Sequence, residues 1–335
     1  MPETQDPQKS VSEPFIRLLQ PPQLYGVFAI AMLGIASFLF FGAYAASQNS
    51  KSSQSASAAA SLNAFADIKL QAKAAFVVDI STGNILYQLN PDIQLPLASI
   101  TKVPLALAVS EVLDSEDSII IPYDTAPTTG GEKLSAGQSW RVQDVINFTL
   151  IASSNEGAEI LADAAGKQLR EKYADAPRDG SARDVTLWRM NQLALEQNFA
   201  GMYFLNVSGL DESETQSGAF GTARSVAALM AYAASSSPGV FAGTARDGLL
   251  MSDEAGNTTT AINTNEALGS ITGLMMGKTG ITDLAGGNLA VVFDIGISNP
   301  VVVVVLGSTR DGRFSDVKQL TAAAREAITA PAVTE

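Results

Sequence analysis

Hydrophobic and polar positions divide the chain into three regimes. From Tyr25 to Ala46 runs a stretch of 22 residues, YGVFAIAMLGIASFLFFGAYAA, without a single charge. As a helix it spans roughly 30 Å, the thickness of a bilayer's hydrocarbon core. It has no polar stripe, which a helix lying on a soluble core would show. Ala43-Tyr44-Ala45 also fits the small-x-small pattern of a signal-peptide cleavage site. The long polar segment before the run and the length of the run itself favour an uncleaved anchor. Residues 1–24 are then a cytoplasmic tail, since Lys9 and Arg17 precede the span and only Lys51 follows closely. From Ser47 to Ala66 the chain is rich in Ser and Ala, with few large groups to bury, and reads as a tether.

From Asp67 onward the periodicity is that of a folded domain, expected to run over 67–335. Ala74 to Ile80 reads as a strand, Ser81 to Asn84 as a turn, and Ile85 to Leu89 as the returning strand of a hairpin. Helices are predicted over Val103–Leu113, Val142–Ile151, Glu156–Ala165, Leu187–Asn198, Ala223–Ala234 and Asp316–Ile328. The Val-rich runs Leu289–Ile295 and Val301–Leu306 suit central strands buried on both faces. Strands thus come from both ends of the domain with helices between them. This predicts one sheet built from both termini, flanking helices and a helical lobe.

Composition narrows the chemistry. The chain of 335 residues is 46% hydrophobic and 16% charged, with a net charge of -13. So acidic a chain does not suit a nucleic-acid partner, which needs clustered Lys and Arg. It contains no His and no Cys. A Ser-His-Asp triad and a thiol nucleophile are therefore excluded, and a zinc centre, which draws on His or Cys, is not expected. No metal and no cofactor are anticipated. A hydrolytic site would take its base from Lys, Asp, Glu or Tyr.

Three short motifs can carry such chemistry. Ser99-Ile100-Thr101-Lys102 places a hydroxyl and an amine three residues apart, on one face of a helix that starts there. Lys102 could take the Ser99 proton if burial or a neighbouring cation suppresses its own charge. Pro104 falls in the first turn, where it is tolerated. Alone the motif is weak: Ser is a common helix N-cap, and Ser315-Asp316-Val317-Lys318 has the same spacing on what reads as a surface helix. Ser153-Ser154-Asn155 marks a break between two helices and could equally be an ordinary turn. Lys278-Thr279-Gly280 follows a plausible strand, Ser270 to Gly277. There Lys offers a charge to a carboxylate, Thr a hydroxyl, and Gly room for a substrate backbone. The three together, in this order, are far more specific than any one of them.

On these motifs the chain resembles the low-molecular-mass penicillin-binding proteins, the D-alanyl-D-alanine carboxypeptidases, from about Ala74 to Leu320. AAFVVDISTGNILYQLNPD, Gly209-Leu210-Asp211, Thr222-Ala223-Arg224 and Ile281-Thr282-Asp283 belong to the same resemblance. It implies the β-lactamase/transpeptidase-like α/β (α+β) fold, an antiparallel sheet with flanking helices and a helical lobe. It implies Ser99 as acylated nucleophile, Lys102 as its base, and Ser153 and Asn155 lining the cleft, with Ser153 relaying protons. Lys278, Thr279 and Thr282 would receive the terminal carboxylate. The N–H groups of Ser99 and Ile281 would form the oxyanion hole. Arg224 would support the Lys-Thr-Gly strand, and Arg313 would be a second carboxylate-side arginine. The expected partners are peptidoglycan stem peptides, β-lactams as covalent inhibitors, and a bilayer through residues 25–46, with the catalytic domain on the extracytoplasmic side. Two features depart from the family: the anchor is N-terminal, and Ser154 stands in the middle of the second motif. A β-lactamase would need a Glu-x-x-Leu-Asn loop, which is not found between Ser153 and Lys278. A D,D-endopeptidase would use the same residues. A non-catalytic wall-binding protein or β-lactam sensor has no need of the intact motif set.

Overall fold

The computed structural model describes residues 64–123, 134–296 and 298–330. The expected anchor, and all but the last three residues of the tether, lie outside the described residues. Among the described residues, no single helix is long and apolar enough to cross a membrane.

Five strands form the main sheet: β1 (Ala74–Asp79), β2 (Ile85–Leu89), β3 (Leu274–Thr282), β4 (Gly286–Asp294) and β5 (Pro300–Ser308). Their order is β3-β4-β5-β1-β2, with every neighbouring pair antiparallel. The first two strands and the last three are separated by almost two hundred residues, so the sheet joins both ends of the domain as the pattern predicts. The β1–β2 turn is held by Asp79, whose Oδ1 accepts from the backbone N–H of Ser81 at 2.8 Å and of Thr82 at 3.2 Å. Gly83 supplies the positive φ, +73°, that closes it.

Both faces of the sheet are covered. Along β5, Val302, Val304 and Leu306 enter one apolar core, while Val301, Val303 and Val305 enter the other. Side chains on a strand alternate between faces, so an unbroken Val run supplies both cores at once. The first core holds helix α5 (Ala223–Ser236) and the helical lobe: α1 (Lys102–Ser110), α2 (Val142–Ile151), α3 (Asn155–Lys172) and α4 (Ala182–Glu196). The second is closed by α6 (Gly312–Thr329).

Helix ends differ from the sequence expectation for local reasons. α1 stops at Ser110, three residues short of the predicted end. It is preceded by a 3₁₀ turn, Ala98–Thr101, so Ser99 sits on that turn rather than in the helix proper. α3 continues to Lys172, past the predicted Ala165, because Gln168, Arg170, Glu171 and Lys172 are good helix formers that need no burial. α4 starts at Ala182, where Ser181 and Asp184 form a reciprocal capping box. Strand β3 begins at Leu274 and runs on to Thr282, so Lys278-Thr279-Gly280 lies within the strand, while Leu268–Ser270 is a 3₁₀ turn.

Candidate active site

α1 is the central helix of the lobe. All its residues from Lys102 to Val109 are buried, and α2, α3, α4 and α5 pack around it. A lysine at its start has no route to water. Lys102 is fully buried, and its Nζ lies 2.8 Å from Ser99 Oγ, 2.7 Å from Asn155 Oδ1 and 2.8 Å from the Ser208 carbonyl. Burial pushes its pKa from 10.5 down to about 7, against a weaker upward pull from the Glu159 carboxylate. Asn155 Oδ1 and Ser208 O can only accept. A neutral amine has two N–H bonds and one lone pair, so these two acceptors take its protons and leave the lone pair facing the Ser99 hydroxyl. That arrangement can remove a proton from Ser99 without histidine.

The Ser99 turn is pinned from three sides. Ala98 immediately before it has φ +48°, a left-handed conformation costly for a residue with a Cβ. Asn288, the one fully buried polar side chain of β4, donates from Nδ2 to Pro96 O at 2.9 Å and Leu97 O at 3.0 Å. Gly209 (φ +80°) presses on the turn from the other side, where a Cβ would fall 2.0 Å from Ala98 O. Gly280 of β3 crosses close by, and a Cβ there would come within 3.3 Å of Ser99 N and 2.8 Å of Leu97 O. Glycine at 280 therefore lets the strand edge approach the nucleophile's backbone.

The second motif bridges the other two. After α2, Ser153 adopts φ +58° and Ser154 caps α3, its hydroxyl accepting from Gly157 N at 3.0 Å. The strained φ directs Ser153 Oγ to Lys278 Nζ, 2.8 Å away, while Asn155 reaches Lys102. Lys278 is buried and also donates to Thr279 O at 2.9 Å. Burial first, then the charges of Lys102 and Arg313, hold its pKa well below 10.5. Three stretches distant in sequence thus converge on one cleft. The decoy pair does not: Ser315 and Lys318 are exposed on α6, and Ser315 Oγ bonds Gly312 O.

The remaining candidates separate. Ile281 lies on β3 opposite Gly287 of β4. Arg313, buried at the start of α6, donates from Nη1 to Gly280 O at 2.8 Å. It therefore supports the Lys-Thr-Gly strand, the task expected of Arg224. Arg224 sits at the opposite edge of the sheet, paired with Asp92 at 2.7 Å and stacked over Phe76 of β1. That expectation is corrected: α5 starts against β1 and β2, not β3. Thr282 directs its hydroxyl to Asp211 Oδ1 at 2.9 Å. Ser208 and Asn288 had no motif to mark them. Asn288 carried one readable signal, a polar residue inside an apolar strand.

A serine hydroxyl addressed by a buried lysine, with a second lysine across the cleft on the edge strand, defines a serine acyl-enzyme hydrolase of the lysine-assisted class. The sequence profile of Peptidase S11, D-alanyl-D-alanine carboxypeptidase, matches residues 57–310, and the chain belongs to that family. It is 24% identical over 237 residues to the D-alanyl-D-alanine carboxypeptidase DacB2 of Mycobacterium tuberculosis, covering 70% of this chain and 75% of that protein. With DacF of Bacillus subtilis the identity is 25% over 256 residues, covering 75% of this chain and 61% of that one. The fold matches ampicillin-bound penicillin-binding protein D2 of Listeria monocytogenes with a TM-score of 0.63 at 26% identity, over 77% of this chain and 99% of that one.

Proposed function

We propose that the protein removes the terminal D-alanine from peptidoglycan stem peptides through an acyl-enzyme on Ser99. The observation that carries this reading is the 2.8 Å contact between Ser99 Oγ and a fully buried Lys102 whose pKa lies about 7. Neutral Lys102 takes the Ser99 proton as Oγ attacks the penultimate carbonyl. The oxyanion is met by the N–H groups of Ser99 and Ile281. The departing D-alanine amine takes up a proton through Ser153, which Lys278 holds in place, and water then cleaves the ester. Lys278, Thr279 and Arg313 receive the terminal carboxylate. β-Lactams acylate the same serine, a reading supported by the ampicillin-bound relative. Residues 25–46 anchor the domain on the extracytoplasmic side of the membrane, as their length and lack of charge suggest.

The test is a paired assay: labelling by a fluorescent penicillin and release of D-alanine from a pentapeptide. Ser99→Ala should abolish both, and retained turnover would end the assignment. For the anchor, deleting residues 25–46 should move the protein from the membrane fraction to the soluble one.

A further inference from the structure

Thr264 lies outside all three motifs, yet its hydroxyl oxygen meets that of Thr279 at 2.6 Å. Its backbone N–H donates to Ile151 O, the last carbonyl of α2, at 3.2 Å. One residue therefore joins the end of the helix before Ser153 to the strand that carries Lys278.

The protons can be counted. A hydroxyl has one proton, and two oxygens at 2.6 Å must share one between them. The alternative acceptor for Thr264 Oγ1 is the same Ile151 carbonyl at 3.4 Å, beyond the usual O–H···O range of about 2.5–3.0 Å. Either hydroxyl can supply the proton of the short contact; when Thr264 supplies it, Thr279 keeps its own for a third partner. Thr282 carries the other hydroxyl on β3, and its proton is spent. It points to Asp211 Oδ1 at 2.9 Å, an acceptor, and its oxygen receives the N–H of Ala285 at 3.1 Å. The second oxygen of Asp211 accepts from Leu284 N at 3.2 Å, which fixes the carboxylate over the end of the strand.

We propose that Thr264 donates to Thr279 and is thereby a positioning residue for the carboxylate subsite, leaving Thr279 as the β3 hydroxyl whose proton is offered to the substrate's terminal carboxylate. Asp211 withdraws Thr282 from that role. The inference rests on the peptidase reading of the cleft and deepens it. Charge for the carboxylate comes from Lys278 and Arg313; Thr279 adds direction.

The experiment uses the full chain and two peptides, one ending in D-Ala-D-Ala with a free carboxylate and the other in its C-terminal amide. Thr264→Val removes the hydroxyl and keeps the shape. It should lower kcat/KM for the acid by about tenfold, the worth of one hydrogen bond to a charged acceptor. The amide should change by less than about twofold, and Thr264→Ser should restore the acid. If Thr264→Val does not fold, Thr264→Ala, checked by thermal melting, should give the same split. Equal losses on acid and amide, or no loss on the acid, overturn the inference while leaving the peptidase reading intact. A wild type that cleaves neither peptide and takes no fluorescent penicillin defeats both.

Discussion

Lys278 donates to the hydroxyl of Ser153 at 2.8 Å, a bond that closes a loop of 125 residues. Lys102 reaches Asn155, two residues further on, at 2.7 Å. The segment 153–155 is therefore the clasp between the two buried lysines of the cleft. Acylation should follow the protonation of Lys102. Its second-order rate with a fluorescent penicillin should rise with pH as Lys102 loses its proton near pH 7. An acid limb at pH 4–5, the ordinary carboxylate range, would instead mark a carboxylate base.

The same lysines leave a mark on folding. Lys102 binds its proton more weakly in the folded chain than in the unfolded one, so unfolding takes up a proton between about pH 7 and 10.5. By linkage, stability should rise with pH across that window. Lys102→Met should flatten the rise, measured as the pH dependence of urea unfolding, and should abolish acylation as well. A slope unchanged in the variant would mean that Lys102 remains charged in the folded protein.

Asn288 gives the clearest case of a buried polar side chain serving the site. Besides its two bonds to the chain entering the Ser99 turn, its Oδ1 accepts from Gly307 N at 2.8 Å. Asn288→Ala would leave those backbone groups without partners at a fully buried position. Each buried group left unmet costs about 1–3 kcal/mol. The expected outcome is a loss of about 3 kcal/mol in chemical denaturation, together with slower acylation of the protein that remains folded. Lost stability at an unchanged acylation rate would show that Asn288 supports the sheet alone.

What could be read from the chain follows from the range of each interaction. Ser99 and Lys102 stand three residues apart, so helical geometry alone puts them on one face. The Val runs of β4 and β5 announce strands buried on both sides, and the predicted Val142–Ile151 coincides with α2. Arg224 could not be placed from sequence, because its partners are set by the order of strands in the sheet. Ser208 contributes only its carbonyl, a group every residue has. Thr264 and Asp211 matter through where their hydrogen bonds go, which no spacing encodes. The short ladders Ser118–Ile120 with Ser139–Arg141, and Gly248–Ser252 with Thr258–Ile262, were missed because runs so short or so polar carry no distinctive period.

Two glycines separate local from global damage. At Gly209 the φ of +80° and the nearness of Ala98 O forbid a Cβ, and the neighbouring Ser208 carbonyl holds Lys102. At Gly166 a Cβ would fall 1.8 Å from Ala182 O, where α3 and α4 touch far from the cleft in sequence and contacts. Both Gly209→Ala and Gly166→Ala should destabilise the fold by about 1–3 kcal/mol through overpacking. Only Gly209→Ala should also slow penicillin acylation of the folded protein, by tenfold or more on the order of a lost positioning contact. Equal acylation rates for the two variants would detach Gly209 from the catalytic turn.

Arg189 tests stability in isolation from chemistry. Its side chain is only 6% exposed, and it bonds both oxygens of Glu111, each at 2.8 Å, and both of Glu196, at 2.7 and 2.9 Å. Tyr173 adds its hydroxyl to Glu111 at 2.6 Å, and the guanidinium stacks over the Tyr173 ring. Glu111 follows α1 and Tyr173 follows α3, so one arginine on α4 ties three helices of the lobe together. Removing one partner from a buried ion pair costs about 3–5 kcal/mol, because the other charge stays buried. Glu111 is partly exposed, which places Arg189→Ala at the lower end, about 3 kcal/mol in urea unfolding. Since no contact of Arg189 reaches Ser99, Lys102 or Lys278, the folded variant should be labelled by fluorescent penicillin within about twofold of the wild-type rate. A lobe that merely decorates the sheet would lose far less stability. A drop in labelling beyond that margin would mean instead that the clasp at α3 transmits its position to Asn155.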